Sequence, residues 1–478
     1  MRKVQPRSSL RLSSQDMRKL GYRVVDMIVQ HYETLRDKPV TRVVDRSTLE
    51  RLLREPIPET GTDLDALLDR VRYQILDNIM HLDHPRFFAY VPGPSNFVSA
   101  MADALATGFN VFAGSWLEAS GAAEVELVTI DWLRQLCGLP EAAGGSFVSG
   151  GSIANLTALA VARHIKLKGS YERAIVYCSD QSHSSIKRAI NVLGFQPAQF
   201  RVLPSDEGCR LIPNLLHHEV AQDRGSGKIP FCVVANAGTT NTGAVDPLDD
   251  LATLCWEEGL WLHVDAAYGG GAIVCDDGRC LLQGLGKADS LAIDPHKWLF
   301  QPYEMGAVLV KDVNWLRDTF LVISDYGEDE VLSEEEVNYC DYGLQLTRHF
   351  RALKLWMSLK AYGVEVFRKA VAHGIHLAEM AQGELANYPN LELTSPAQLG
   401  IVTFRYIEDD LSMPKLNDIN RKIVTQCIVD RFAMLSSTKL KGMVVLRLCT
   451  INSETTETDI QETIARIVSY GAALRKIE

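Results

Sequence analysis

Between residues 146 and 310, six short runs of β-branched and small apolar residues recur, separated by stretches with helical periodicity: Ser146 to Ser149, Ala174 to Cys178, Phe231 to Ala235, Leu260 to Asp265, Ser290 to Asp294 and Gly306 to Val310. No other feature constrains the fold as much. Apolar runs of this length are consistent with strands buried on both faces, and the intervening helices supply the crossovers that parallel pairing requires. The expected fold is therefore an α/β layer structure around a mostly parallel, mixed sheet. In such sheets ligands bind beyond the carboxyl ends of the strands, and there the chemistry is sought.

The flanks have a different texture. From Ser14 to about Ile79 apolar residues recur at helical spacing (Leu20, Val24, Ile28; Leu64, Leu67, Leu68, Val71, Ile75), punctuated by Pro39, Pro56 and Pro58, which predicts a helical N-terminal arm. Pro85 to Pro94 is aromatic and turn-rich, too apolar for an ordinary exposed loop, and helices resume from Phe97 to Leu136. Helix alternates with strand again near the end (Ile401 to Tyr406, Val444 to Leu448). The expected division is an arm over 1–93, a large α/β domain over 94–375 and a small C-terminal α+β domain over 376–478. A length of 478 residues suits that many units.

Composition excludes several classes. A net charge of -11 without a long Lys/Arg cluster argues against nucleic acid as a partner, and no apolar run approaches the roughly eighteen residues of a membrane helix. Ten cysteines lie scattered without a CxxC pair, so neither a disulfide framework nor a metal site is expected, and the compartment is read as reducing and cytoplasmic. Arg2, Lys3, Arg7 and Arg11 mimic a presequence, but Pro6 interrupts the amphipathic helix such a signal needs, so a short disordered arm is expected.

Two strings then carry the chemistry. DPHKW places Lys297 just past a strand, and WLHVDAAY places Asp265 at the end of another, 32 residues upstream. A lysine amine can hold an aldehyde cofactor as a Schiff base, and a carboxylate facing a pyridine nitrogen keeps it protonated, so the pair composes most of a pyridoxal phosphate site. Taken singly, such a lysine is ordinarily solvated and such an aspartate a cap or ion-pair partner. Ser149, Gly150, Gly151 and Ser152 run straight into a helix, where N–H groups and the helix dipole suit a phosphate. His183 sits in a strand-end loop, able either to lie on a cofactor ring or to cap the following helix. Thr239 and Thr240 follow Gly238 at the next strand end, as cofactor contacts or turn caps. His296, beside the lysine, can contact phosphate or order its loop.

As a set, FFAY (87–90), SW (115–116), DWL (131–133), the GGS helix start, DQSHSS, GTT, WLHVDAAYGG, DPHKW, RALKLW (351–356) and VLR (445–447) resemble the group II pyridoxal-phosphate amino-acid decarboxylases, nearest their aromatic-L-amino-acid branch. The resemblance covers the chain from about Asp16 to its end. It implies an aspartate-aminotransferase-like, type I PLP-dependent fold and a homodimer with shared active sites. It also implies Lys297 as the Schiff-base lysine, Asp265 as the pyridinium partner, His183 stacked on the ring, Ala267 beneath its other face, and Gly151 and Ser152 on the phosphate. Thr240, Asp294 and His296 match further cofactor-contact positions. Animal members have Asn at the place of Asp294, and a carboxylate beside a phosphate is unfavourable, so Asp294 is expected to turn away and His296 to take up that contact.

The same resemblance assigns the proton donor to a tyrosine on a mobile loop. Counting through GAVLVKD, Tyr326 matches it, followed by Gly327 and the acidic EDEVLSEEE, a composition that suits a lid. Relatives with phenylalanine there make aldehydes, so Tyr326 favours the amine.

In the substrate pocket Tyr90 and Pro92 remain, but Leu82, Val91 and Gly114 replace aromatic residues of the animal enzymes and Gly93 replaces a threonine; Phe112 is the candidate to refill the space. No arginine is evidently placed to read a side-chain carboxylate, and Arg447 is expected to be structural. The expected activity is decarboxylation of an aromatic or large apolar L-amino acid to the amine and CO2. The alternatives are oxidative aldehyde synthesis or carbon–carbon cleavage on the same scaffold.

Overall fold

A computed structural model of the chain describes residues 10–169, 171–322, 333 and 335–476. Its centre is a seven-stranded sheet of β1 (Gly144–Val148), β2 (Ala174–Ser179), β3 (Phe200–Leu203), β4 (Ile229–Asn236), β5 (Trp261–Asp265), β6 (Ser290–Ile293) and β7 (Gly306–Val310). The order is β1-β7-β6-β5-β4-β2-β3. Strands β2 to β6 pair in parallel, and β7 runs antiparallel to both of its neighbours. All six expected runs are strands. The seventh, β3, escaped notice because it lies at the edge, largely half-exposed, and shows no continuous apolar run.

Both faces of the sheet are covered, so alternate side chains enter different cores. Val233, Ala235, Leu262 and Val264 pack on one side; Cys232, Val234 and Trp261 pack on the other, against Ala154, Ala158 and Val161 of the helix Gly151–Leu167. This is the period-two split of a strand buried on both faces.

The C-terminal sheet is antiparallel, with β8 (Leu391–Gln398), β9 (Ile401–Tyr406), β10 (Ser436–Leu440) and β11 (Met443–Cys449) in the order β10-β11-β9-β8. Sequence periodicity found its two central strands. The edges are harder to see, since β8 carries Pro396 and two register shifts and β10 reads SSTKL. The aromatic segment after Pro85 is a bridge into this unit: Phe88 donates to Met434 O (2.7 Å) and accepts from Cys449 N (3.0 Å). Phe87, Phe88 and Ala89 are buried, which explains why this stretch is apolar.

The long arm helix Ser14–Thr34 buries none of its residues within the chain. Met17, Tyr22, Val24 and Val29 stand exposed along it.

Candidate active site

The carboxyl ends of β1, β2, β4, β5 and β6 open on a cavity of about 300 Å³. Gly151, Ser152, His183, Thr240, Asp265, Ala267, Asp294, His296 and Lys297 all line it. Nine residues spread over almost 150 positions therefore converge because parallel strands end on one side of the sheet.

Lys297 begins from a turn after β6 in which its N–H is bonded to Asp294 O at 2.9 Å. Its Nζ lies 2.9 Å from Asp294 Oδ2. Burial lowers the affinity of the amine for its proton, but Asp294, with help from Asp265, outweighs it and the pKa ends above its ordinary value. Asp294 thus meets the lysine while also bordering the glycine turn, where a Cβ on Gly151 would lie 2.9 Å from Oδ2, and its Oδ1 has no partner. His296 accepts from Met305 N through Nδ1 (3.2 Å), and its Nε2 is 3.6 Å from Asp294 Oδ2. Burial holds its pKa below the ordinary histidine value.

Asp265 is oriented from two sides: Oδ2 accepts from Asn155 Nδ2 (2.9 Å) and Oδ1 from Ala267 N (3.2 Å). His183 caps a helix and also borders the cavity. Its Nδ1 accepts from Ser185 N (3.2 Å) as the N-cap of the helix Ser184–Val192, while its ring remains in the open cavity. Desolvation depresses its pKa despite the open face. The two threonines divide their roles as well: Thr239 bonds Thr242 Oγ1 at 2.8 Å within the turn, and Thr240 faces the cavity.

The glycine turn fits a phosphate. No side chain caps the helix Gly151–Leu167 at Gly150, which leaves first-turn N–H groups for an anion. Space there excludes side chains. A Cβ on Gly151 would lie 2.9 Å from both Ala267 Cβ and Asp294 Oδ2, and one on Gly306 would lie 2.5 Å from Gly150 Cα. An uncapped amide cradle, a half-buried amine and an oriented carboxylate around one cavity match the phosphate, aldehyde and ring nitrogen of pyridoxal phosphate.

The substrate-side candidates are placed differently. Tyr90, Pro92, Gly93 and Phe112 do not line this cavity. Gly93 lies against Tyr303, whose hydroxyl would be 2.3 Å from a Cβ there, and the Tyr303 ring is 4.9 Å from that of His296. Phe112 folds over Gly114, 2.4 Å from where a Cβ would sit, so it does occupy the space that glycine leaves. Arg447 is buried, donating to Tyr90 O at 2.6 Å. Tyr326 lies outside the described residues.

Asn155, Ser185 and Asn236 also line the cavity, and sequence reasoning missed all three. The available signal was Asn155, a polar residue one turn beyond Gly151 amid Ala154 and Ala158, where an apolar side chain would ordinarily pack.

The chain resembles proteins with this chemistry along nearly its whole length. Residues 47–407 match the pyridoxal-dependent decarboxylase conserved domain. An aromatic-L-amino-acid decarboxylase of Bacillus atrophaeus is 48% identical over 461 residues, 96% of each chain. A phenylacetaldehyde synthase of Arabidopsis thaliana is 34% identical over 459 residues, 93% of this chain and 94% of that one. Among solved structures, Oryza sativa TDC with PLP and tryptamine superimposes with a TM-score of 0.92 at 27% identity, covering 99% of this chain and all of the other. Catharanthus roseus tryptophan decarboxylase in complex with L-tryptophan gives 0.90 at 27% identity, over 97% and 99%. With the lysine, the carboxylate and the amide cradle gathered at the strand ends of the same fold, the chain belongs to the pyridoxal-dependent decarboxylases and is a PLP-dependent carboxy-lyase.

Proposed function

We propose that this enzyme decarboxylates an aromatic or large apolar L-amino acid to the corresponding amine and CO2, as a homodimer whose sites are shared. The observation that carries the reading is the 48% identity to a Bacillus aromatic-L-amino-acid decarboxylase. Bound pyridoxal phosphate supplies the electron sink for the pair left behind when the carboxyl group departs.

The chain's own residues then divide the remaining work. Lys297 anchors the aldehyde end, and Asp294, at 2.9 Å, steadies its charge when the amine is free. Asp265 keeps a negative charge opposite the ring nitrogen. His183 and Ala267 hold the ring between them, and the small Ala267 allows close approach. Gly151 and Ser152 take the phosphate, with Thr240 and His296 as further cofactor contacts. Tyr326 delivers the proton to the α-carbon. Tyr90, Pro92, Gly93 and Phe112 shape the substrate side. Phe112 lies off the cavity of its own chain, which supports a role across a dimer, and so does the exposed apolar face of the helix Ser14–Thr34.

The test is a panel of L-amino acids assayed together for CO2, amine, aldehyde and peroxide. Stoichiometric CO2 and amine from aromatic substrates is the expected result; turnover confined to acidic amino acids would overturn it. The similarity to a phenylacetaldehyde synthase supports a second reading, oxidative production of the aldehyde, which peroxide and ammonia in equal yield would establish.

A further inference from the structure

Trp261, His263 and Asp265 occupy alternate positions of β5, so all three project from one face of the sheet. They begin a continuous chain of hydrogen bonds through buried residues (Ser290, Asn155 and Ser185 besides these three) that ends on the exposed His183. Trp261 Nε1 donates to Ser290 Oγ at 2.8 Å, and Ser290 Oγ lies 2.9 Å from His263 Nδ1. His263 Nε2 is 2.9 Å from Asn155 Oδ1. Asn155 Nδ2 then donates both to Asp265 Oδ2 and to Ser185 Oγ, each at 2.9 Å, and Ser185 Oγ is 2.8 Å from His183 Nδ1.

The chain can run in only one direction. At one end the indole N–H donates and never accepts; at the other an ionised carboxylate accepts and never donates. Asp265 therefore fixes the Asn155 amide with NH2 toward it, which turns Oδ1 to His263. That oxygen needs a donor, so His263 carries its proton on Nε2 and accepts from the Ser290 hydroxyl at Nδ1. Ser290 can give its one proton there because the Trp261 indole meets its oxygen from the other side. The second amide hydrogen of Asn155 occupies Ser185 Oγ, which leaves the Ser185 hydroxyl to donate to His183 Nδ1. Since Ser185 N also donates to that nitrogen (3.2 Å), the proton of neutral His183 is confined to Nε2. Burial disfavours a second proton on either ring.

We infer that His263 and Asn155 are positioning residues that hold Asp265 in the plane and charge state needed opposite the cofactor ring nitrogen, and that fix His183 as its Nε2–H tautomer. The inference rests on the proposed pairing of Asp265 with that nitrogen. His263 lies within the string WLHVDAAY and Asn155 just past the GGS helix start, but neither is among the cofactor contacts that those strings imply. Their contribution is electrostatic pre-organisation: without the Asn155 bond the Asp265 carboxylate keeps only the longer bond from Ala267 N (3.2 Å) to hold its orientation.

The test compares the affinity of the full-length enzyme for pyridoxal phosphate and for its analogue with C–H in place of the ring nitrogen, by equilibrium dialysis. The parent is expected to prefer the natural cofactor by about tenfold or more, the scale of one buried bond to a charged group. His263→Phe should lose most of that preference, whereas His263→Gln, whose amide can donate to Asn155, should retain it. If His263→Phe does not fold, Ser290→Ala removes a single oxygen and should weaken the preference in the same direction. A preference intact in both variants would overturn the inference. If Asp265→Asn also keeps the full preference, the failure lies instead in the pairing of Asp265 with the ring nitrogen. Nitrogen-15 NMR of labelled holoenzyme reads the second arm: His183 should be protonated at Nε2 in the parent, and a parent protonated at Nδ1 would refute it.

Discussion

Arg348→Met probes how the glycine turn is held. The Arg348 guanidinium is buried and donates to Glu126 Oε1 (2.6 Å) and Oε2 (3.1 Å), Ser146 Oγ (2.9 Å), Phe147 O (2.9 Å) and Ala113 O (2.9 Å). It also lies 4.9 Å over the ring of Tyr339. Glu126, fully buried, accepts in addition from Phe147 N at 2.9 Å. The pair thus clamps both backbone groups of Phe147, three residues before the turn at Gly150. Methionine fills much of the arginine stem but leaves Glu126 as an uncompensated buried charge, a loss of about 3–5 kcal/mol. For a chain of this length, with an unfolding entropy of about 1 kcal/mol/K, that is a fall in Tm of roughly 3–5 °C. The sharper assay is the urea midpoint of Arg348→Met against Arg348→Met/Glu126→Gln. If the charge causes the loss, the double variant recovers at least half of it and also releases pyridoxal phosphate more slowly than the single. A single variant destabilised by less than about 1 kcal/mol, or a double variant no better than the single, would refute the reasoning.

Gly306→Ala places a Cβ 2.5 Å from Gly150 Cα, so the amide cradle must shift; cofactor affinity measured by dialysis should fall about tenfold or more, with circular dichroism unchanged. His263 is held neutral by burial, with its pKa depressed to about 4, whereas the unfolded chain takes up that proton near pH 6.5. Between those values the unfolded state binds more protons, so stability is full above the window and declines as pH falls through it, by about 2 kcal/mol at pH 5. His263→Gln should remove that part of the loss between pH 7 and pH 5 in urea titrations, and an unchanged pH dependence would count against a neutral buried ring. Tyr326→Phe should divert product from amine to aldehyde with matching peroxide and ammonia; amine formation at the parental rate would remove Tyr326 from the proton-transfer role.

Much of the site was legible in the sequence because its chemistry depends on residue type and on position relative to strand ends. Lys297, Asp265 and the Gly150–Gly151 turn each follow an apolar run, and in a parallel sheet that alone sends them to one edge. Edge strands β3, β8 and β10 were not legible, since half-exposed pairing leaves no continuous apolar pattern. Asp294 shows the limit differently: electrostatics predicted that it would avoid an anion, but only the turn after β6 decided that it meets Lys297.

The sequence by itself determined the α/β architecture and the placing of Lys297 and Asp265 at strand ends, because periodicity and residue chemistry are local properties. Tertiary structure alone decided that Asn155, from a helix 110 residues before Asp265, would reach its carboxylate, and that His263 and Ser290 from adjacent strands would orient that amide. Hydrogen-bond direction depends on which donors and acceptors meet in space, and no spacing along a chain encodes that meeting.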